Sequence, residues 1–325
     1  MPVQRVAIIG LGLIGASLGL ALHRLTPAPR VVGYDRSGDA RTRAARRHAV
    51  DRTPWSLEET VEGADLVVLA TPVRAVAPLL GTIAPYLAPG AVVTDTGSTK
   101  EQVMLSAAEV APQVAFVGGH PMAGKLTHGS ADADAALFDG TVYCLTPTAD
   151  TPPAAIQRVT ELVEAVGARP HFLDAAEHDG LVAAISHLPY LLASTLMTAA
   201  SADPGWREMA ALAAGGFSTM TRLVEGEPEM YADICLTNRE AIARQLDRYM
   251  EALGSLRAAV AAGDEGLRAR FAAAREQHQA WLAQRATPPE GTALTPEVRA
   301  HNPFIPQSWQ DALRGRRPER KERGE

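Results

Sequence analysis

The chain has 325 residues, more than one typical core uses, so two domains are expected. Apolar residues make up 46% and charged residues 21%, a soluble globular balance. The formal net charge of −6 excludes a global basic field of the kind that holds nucleic acid or an anionic membrane.

Residues 6 to 22 carry no charge and superficially resemble the apolar core of a signal peptide. Only Arg5 precedes the run and four ordered glycines fall inside it, so neither a targeting segment nor a membrane span is expected. No other segment reads as a span. Val6 to Ile9 reads as a strand and Ile14 to Arg24 as a helix. Further apolar runs at Val31–Tyr34, Asp65–Ala70, Ala91–Thr94 and Val114–Val117 read as the second to fifth strands. Continuous apolar strands separated by helices predict an α/β fold, an N-terminal doubly wound, Rossmann-type parallel sheet. Tyr143–Leu145 and Pro170–Leu173 read as late strands of the same domain, flanking a helix near 153–166. After Asp174 strand signals vanish, and Ala/Leu/Met-rich helical stretches run to about residue 284. The expected organisation is a dinucleotide-binding domain over 1–173 and an all-helical substrate and dimerisation domain over 174–285. Residues 286–325, rich in Pro and Gly and then in mixed charge, read as an extended or flexible tail. The apolar helices call for a partner surface, so a homodimer is expected. The only two cysteines, Cys144 and Cys235, match neither a zinc nor a disulfide spacing. That pattern excludes a metal centre of this kind and places the chain in a reducing cytoplasm.

Gly10-Leu11-Gly12-Leu13-Ile14-Gly15 directly follows a strand and opens a helix, the context a G-x-G-x-x-G fingerprint requires. Gly10 permits the tight turn, Gly12 lets a pyrophosphate approach the backbone, and Gly15 lets helix and strand pack closely. Asp35 ends the second strand, where a carboxylate accepts hydrogen bonds from the adenosine ribose hydroxyls and repels a 2′-phosphate, favouring NAD over NADP. The adjacent Arg36 is a cation able to pair with that phosphate, which keeps NADP open. Thr71-Pro72 follows the third strand and either edges the cofactor or makes an ordinary turn.

The fourth strand runs into Asp95-Thr96-Gly97-Ser98-Thr99-Lys100, and the fifth into Gly118-Gly119-His120-Pro121-Met122-Ala123-Gly124. Abstraction of a hydride from a carbinol carbon needs a base for the hydroxyl proton, and His120 suits that task near neutral pH. Ser98 is read three ways: a hydrogen-bond partner of the substrate hydroxyl, a group orienting His120, or the N-cap of the following helix.

These segments occur in order with H-D-x(6)-S-H-L-P from His178 and G-F-x(3)-T-R ending at Arg222. Together they resemble the prephenate/arogenate dehydrogenase family of tyrosine biosynthesis, from about residue 4 to residue 284. The resemblance implies oxidative decarboxylation, with His120 as base, Ser98 as its hydroxyl partner and Arg222 binding a carboxylate of a small anionic substrate. A guanidinium gripping a carboxylate through two hydrogen bonds is the chemistry a dianion asks for. His178 and His187 either line the pocket or hold the helices. Pro228–Ile234 matches a family helix start. Three positions depart from the family pattern: Leu126 stands in place of an expected Glu, Tyr190 in place of a second histidine, and Tyr231 in place of a common tryptophan. The first two touch the region that reads the substrate side chain and leave prephenate and arogenate both open. A β-hydroxyacid dehydrogenase and a non-catalytic dinucleotide sensor are the competing classes. The combination of Ser98, His120 and Arg222 argues against the sensor. About forty residues follow 284, too few for a regulatory domain of the kind some relatives carry.

Overall fold

The computed structural model describes residues 3–125 and 129–286. Seven strands form one sheet in the order β2-β1-β3-β4-β5-β6-β7. They are β1 Arg5–Ile9, β2 Arg30–Tyr34, β3 Leu66–Leu69, β4 Val92–Asp95, β5 Ala115–Pro121, β6 Val142–Thr146 and β7 Arg169–Phe172. Residues alternate across the sheet: Val6 and Ile8 join one buried apolar cluster, Ala7 and Ile9 the other. Both faces are therefore covered, which is why the strands read as unbroken apolar runs.

Every neighbouring pair is parallel except β5 and β6, which are antiparallel. The expected all-parallel sheet is corrected at this joint. The described part of the β5–β6 connection contains only a 3₁₀ turn at Ser130–Asp132, and a parallel return needs a crossover helix. Such a helix, α6 Pro153–Ala165, does connect β6 to β7. On the other side, β1 is flanked by β2 and β3, so the direction of winding reverses between them. In open α/β sheets the ligand crevice lies at that switch point, outside the carboxyl ends of the strands.

The helices about the first strands are α1 Leu13–Leu22, α2 Gly38–Arg46, α3 Leu57–Val61, α4 Val76–Ile83 and α5 Glu101–Val110. After β7, Asp174 caps a helix by accepting from the N–H groups of Ala176 and Glu177. That helix, α7 Ala175–Val182, passes through a π-turn at Ala183–His187 into α8 Leu188–Ser201. There follow α9 Trp206–Leu212, α10 Gly215–Thr221, a 3₁₀ turn Arg222–Glu225, α11 Pro228–Thr237, α12 Arg239–Ala262 and α13 Leu267–Ala286.

The run Ala175–Ser201 is 27 residues long and contains an 18-residue stretch of mean hydropathy 1.5, long and apolar enough by length and composition to cross a membrane. The sequence reading missed this run. It carries His178, Asp179 and His187, all buried and hydrogen-bonded inside the protein. The described residues up to Ile242 form one compact unit and those from Ala243 a second. In the second, α12 ends at Gly263 (φ +64°), which allows the left-handed turn into α13. Leu126 and, past Ala286, the expected tail lie outside the described residues.

Candidate active site

The glycine loop follows from steric demands at two positions. Gly10 has φ +97°, and a Cβ there would come 2.2 Å from the Ala70 carbonyl oxygen. A Cβ on Gly15 would come 1.9 Å from the Gly10 carbonyl oxygen, so α1 can approach β1 only with glycine there. At Gly12 the added Cβ would meet nothing within 4 Å. Gly12 is thus not required for packing; its openness leaves a cradle in front of the α1 N-terminus, which no side chain caps. Leu11 is buried, while Leu13 and Ile14 are half-buried along the first turn.

Asp35 holds this loop in place. Its Oδ2 accepts from Leu11 N at 2.8 Å and its Oδ1 from Ser37 N at 2.8 Å. Each oxygen keeps a further lone pair for a sugar hydroxyl. Arg36 is exposed beside it. Arg41, one helical turn on, lies 5.7 Å from the Tyr34 ring and 5.2 Å from that of Trp55. On the opposite rim, Thr71 Oγ1 is buried without a protein partner, next to the exposed Pro72. An open cradle, an orphaned hydroxyl and a carboxylate at the end of β2 fit a dinucleotide.

His120 lies within β5 rather than after it. Pairing with β4 stops at Val117, whereas pairing with β6 continues to Pro121 and sets His120 opposite Cys144. The two preceding glycines are forced by packing: a Cβ on Gly118 would meet Thr146 Oγ1 at 2.4 Å, and one on Gly119 the Asp95 carbonyl oxygen at 2.6 Å. His120 Nδ1 is 2.9 Å from His178 Nε2, and His178 Nδ1 is 2.8 Å from Asp179 Oδ1. His178 is fully buried with both ring nitrogens engaged, so it stands behind His120 and not on a pocket wall. Burial, then the neighbouring His178, Lys100 and His187, push His120 well below the ordinary histidine range. It is therefore uncharged at physiological pH.

A charge cluster supports this histidine. Asp95, at the end of β4, accepts from Gly97 N and from Gly119 N, and pairs with the Lys100 ammonium. Both members of the ion pair are fully buried. Asp179 accepts from Lys100 N at 2.7 Å and Glu101 N at 3.0 Å, and thereby caps α5. The cap, one of the three readings of Ser98, is thus supplied from α7, and Ser98 is half-exposed with no hydrogen bond to His120. Asn238 Nδ2 donates to the Asp179 carbonyl oxygen and faces His187 Nδ1 at 3.3 Å. That makes Nδ1 of His187 the acceptor and puts its proton on Nε2, which is buried and unpartnered. Burial drives His187 down to about 4. Asp95, Lys100 and Asp179 stood in the quoted motifs without a role, and nothing in the sequence marked Asn238.

Tyr190 and Tyr231, two of the departures from the family pattern, stack on each other with ring centroids 3.4 Å apart and planes 5° apart. A Cβ on Gly226 would come 2.6 Å from the Tyr231 ring, so glycine makes room for the stack. Arg222 opens the 3₁₀ turn that packs on α8; it is exposed and makes no ion pair among the described residues.

A dinucleotide crevice at the switch point and an uncharged histidine on β5 of the same sheet fit a dinucleotide-dependent dehydrogenase. Comparison with known proteins sharpens the class. Residues 18–171 match the family described as prephenate dehydrogenase, nucleotide-binding domain, and residues 174–273 its dimerization domain. The chain belongs to the prephenate dehydrogenase family. It is 35% identical over 263 residues to a cyclohexadienyl dehydrogenase of Zymomonas mobilis, covering 80% of this chain and 90% of that one. It is 34% identical over 257 residues to a prephenate dehydrogenase of Bacillus subtilis, covering 78% and 69%. The solved prephenate dehydrogenase of Aquifex aeolicus, in complex with hydroxyphenyl propionate and NAD+, superposes with a TM-score of 0.80 at 27% identity, covering 86% and 98%.

Proposed function

We propose that the chain catalyses the NAD-dependent oxidative decarboxylation of prephenate to 4-hydroxyphenylpyruvate. The observation that carries this reading is the uncharged His120 on β5, hydrogen-bonded to His178, in the same sheet as the dinucleotide crevice and in a chain of this family. Bound NAD supplies the hydride acceptor. His120 takes the proton of the ring hydroxyl as hydride leaves the same carbon, and Ser98 hydrogen-bonds that hydroxyl. Carbon dioxide departs as the ring becomes aromatic, so the protein has mainly to align and polarise. Arg222, exposed and without an ion pair among the described residues, grips a carboxylate, and the unpartnered His187 Nε2–H donates to the same anion. Tyr190, stacked on Tyr231, borders the substrate side chain.

Gly10, Leu11, Gly12, Leu13, Ile14 and Gly15 receive the pyrophosphate, Asp35 the ribose, and Thr71-Pro72 the nicotinamide side. Residues from 174 to 285 form the substrate and dimerisation region, and the enzyme works as a cytoplasmic homodimer. Support for the dimer comes from the name of the matched second family and from exposed apolar side chains such as Ile185, Leu212, Met220 and Leu236. Support for the cytoplasm comes from the two unpaired cysteines.

The deciding experiment crosses prephenate and arogenate with NAD and NADP, and follows reduced cofactor and product. The expected result is the highest kcat/KM for prephenate with NAD. A higher value for arogenate replaces the substrate, and no turnover with either removes the proposal. Light scattering of the purified protein reads the subunit count.

A further inference from the structure

His178 and Asp179 touch neither the dinucleotide crevice nor solvent, yet they decide which nitrogen of His120 is free. A carboxylate only accepts, so the proton between Asp179 Oδ1 and His178 Nδ1 belongs to His178. Asp179 is bound to that state because its oxygens already accept from Lys100 N and Glu101 N at the head of α5. With its one ring proton on Nδ1, His178 presents a bare Nε2, which accepts across the 2.9 Å contact with His120 Nδ1. His120 is left with its proton on Nδ1 and its lone pair on Nε2. A free neutral histidine side chain prefers the opposite arrangement, with the proton on Nε2, which could not act as a base from that nitrogen.

We infer that His178 and Asp179 are positioning residues that fix the tautomer of His120, so that its Nε2 is the proton acceptor. This rests on the role proposed above for His120. The charged and titratable groups about the pair are Asp95 from β4, Lys100 at the head of α5, and His187 in the π-turn. Asp95 is already neutralised by Lys100. His187, driven to about 4, carries no charge near neutral pH. Asp179 is thus the one anion hydrogen-bonded to His178, among the described residues.

Two measurements on the full-length protein test the inference. In protein labelled with ¹⁵N at histidine, nitrogen-resolved NMR of the resting enzyme is expected to show His120 protonated at Nδ1. In steady-state kinetics, His178→Phe removes the acceptor and is expected to lower kcat by about 100-fold or more, with KM for prephenate and NAD nearly unchanged. His178→Gln restores an acceptor for Nδ1–H while its amide faces Asp179, and is expected to recover kcat to within about tenfold of the parent. A purely structural His178 would not give this pattern of loss in kcat alone and rescue by glutamine. His120 protonated at Nε2 in the parent overturns the inference, as does parental kcat in His178→Phe or equal loss in both variants. Should His178→Phe not fold, the parent spectrum and the glutamine variant still decide. If the parent turns over neither prephenate nor arogenate, the proposed function falls, and the spectrum still decides the tautomer.

Discussion

Replacing Lys100 by methionine isolates one charge at the centre of the site. The backbone N–H of residue 100 still donates to Asp179, so the cap of α5 is untouched, and methionine fills most of the space of the aliphatic stem. Only the ammonium is lost, from a pair in which both side chains are fully buried. Removing one partner of a buried pair costs about 3–5 kcal/mol, because the other charge remains without compensation. Asp95 keeps the N–H groups of Gly97 at 2.8 Å and Gly119 at 3.0 Å, which sets the expected cost at the lower end, about 3 kcal/mol. For a body of this size each kcal/mol moves the melting midpoint by about 2–4 °C, so a drop of roughly 6–12 °C is expected by circular dichroism. Adding Asp95→Asn removes the stranded charge and leaves a loss of about 1 kcal/mol, since Gly97 N–H then faces an amide nitrogen. The acid limb of kcat should also move upward, because Lys100 is one of the groups holding His120 low. An unchanged midpoint in Lys100→Met, or a double variant less stable than the single one, would refute the reasoning.

Four further outcomes follow from the same geometry. His120→Asn should bind NAD as the parent does and lose at least about 100-fold in kcat; unchanged turnover would falsify its role as base. Arg222→Ala should mainly raise KM for the anionic substrate, and an unaffected KM would remove Arg222 from the site. Asp35→Ser should relax the preference for NAD over NADP; it also releases Leu11 N and Ser37 N, so the binding of both cofactors should weaken somewhat. For pH, the sign is set by His187, whose folded value near 4 lies below the ordinary 6.5. The unfolded chain takes up this proton first, so stability is full above pH 6.5 and falls by up to about 3 kcal/mol as pH drops towards 4. Replacing His187 by Asn should flatten that part of the stability curve measured by urea denaturation, and an unaltered slope would count against it.

The sheet and the cofactor crevice were legible because their causes are local. Strands buried on both faces must be apolar throughout, so β1 to β5 stand out one after another. Gly15 is demanded by the Gly10 backbone five residues before it, and Gly10 by its positive φ as well as by the Ala70 carbonyl at the end of the neighbouring strand, and such demands leave glycines at fixed offsets. The antiparallel joint at β5–β6 was not legible, because nothing in an apolar run records its direction. The cap reading of Ser98, one of three left open, fell for a related reason. Position and residue type made it suitable, but Asp179, 78 residues away from Glu101, took the place. Burial of Lys100 was equally hidden, since a lysine in a turn reads as exposed until the partner on β4 is seen. The pairing of Tyr190 with Tyr231 shows the same limit: each departure could be named singly, and only the fold shows that they stack.

Asp179 has a place in this architecture that neither half of the site explains alone. One side chain caps α5, fixes the proton of His178, and through its backbone carbonyl holds Asn238 against His187. Its residue sits on α7, the first helix after the sheet, whereas α5 follows β4 and His120 lies on β5. A helix cap contributes about 1 kcal/mol, which is modest beside the apolar clusters of the sheet. What the cap adds is dependence: on the inference above, His120 acquires its working tautomer only when α7 is docked at the head of α5. A buried carboxylate that accepts three hydrogen bonds has no cheaper alternative geometry, because undocking strands two backbone N–H groups and a histidine at once. On the roles proposed above, the sheet supplies the crevice and the histidine, and the first helix beyond it makes that histidine a base.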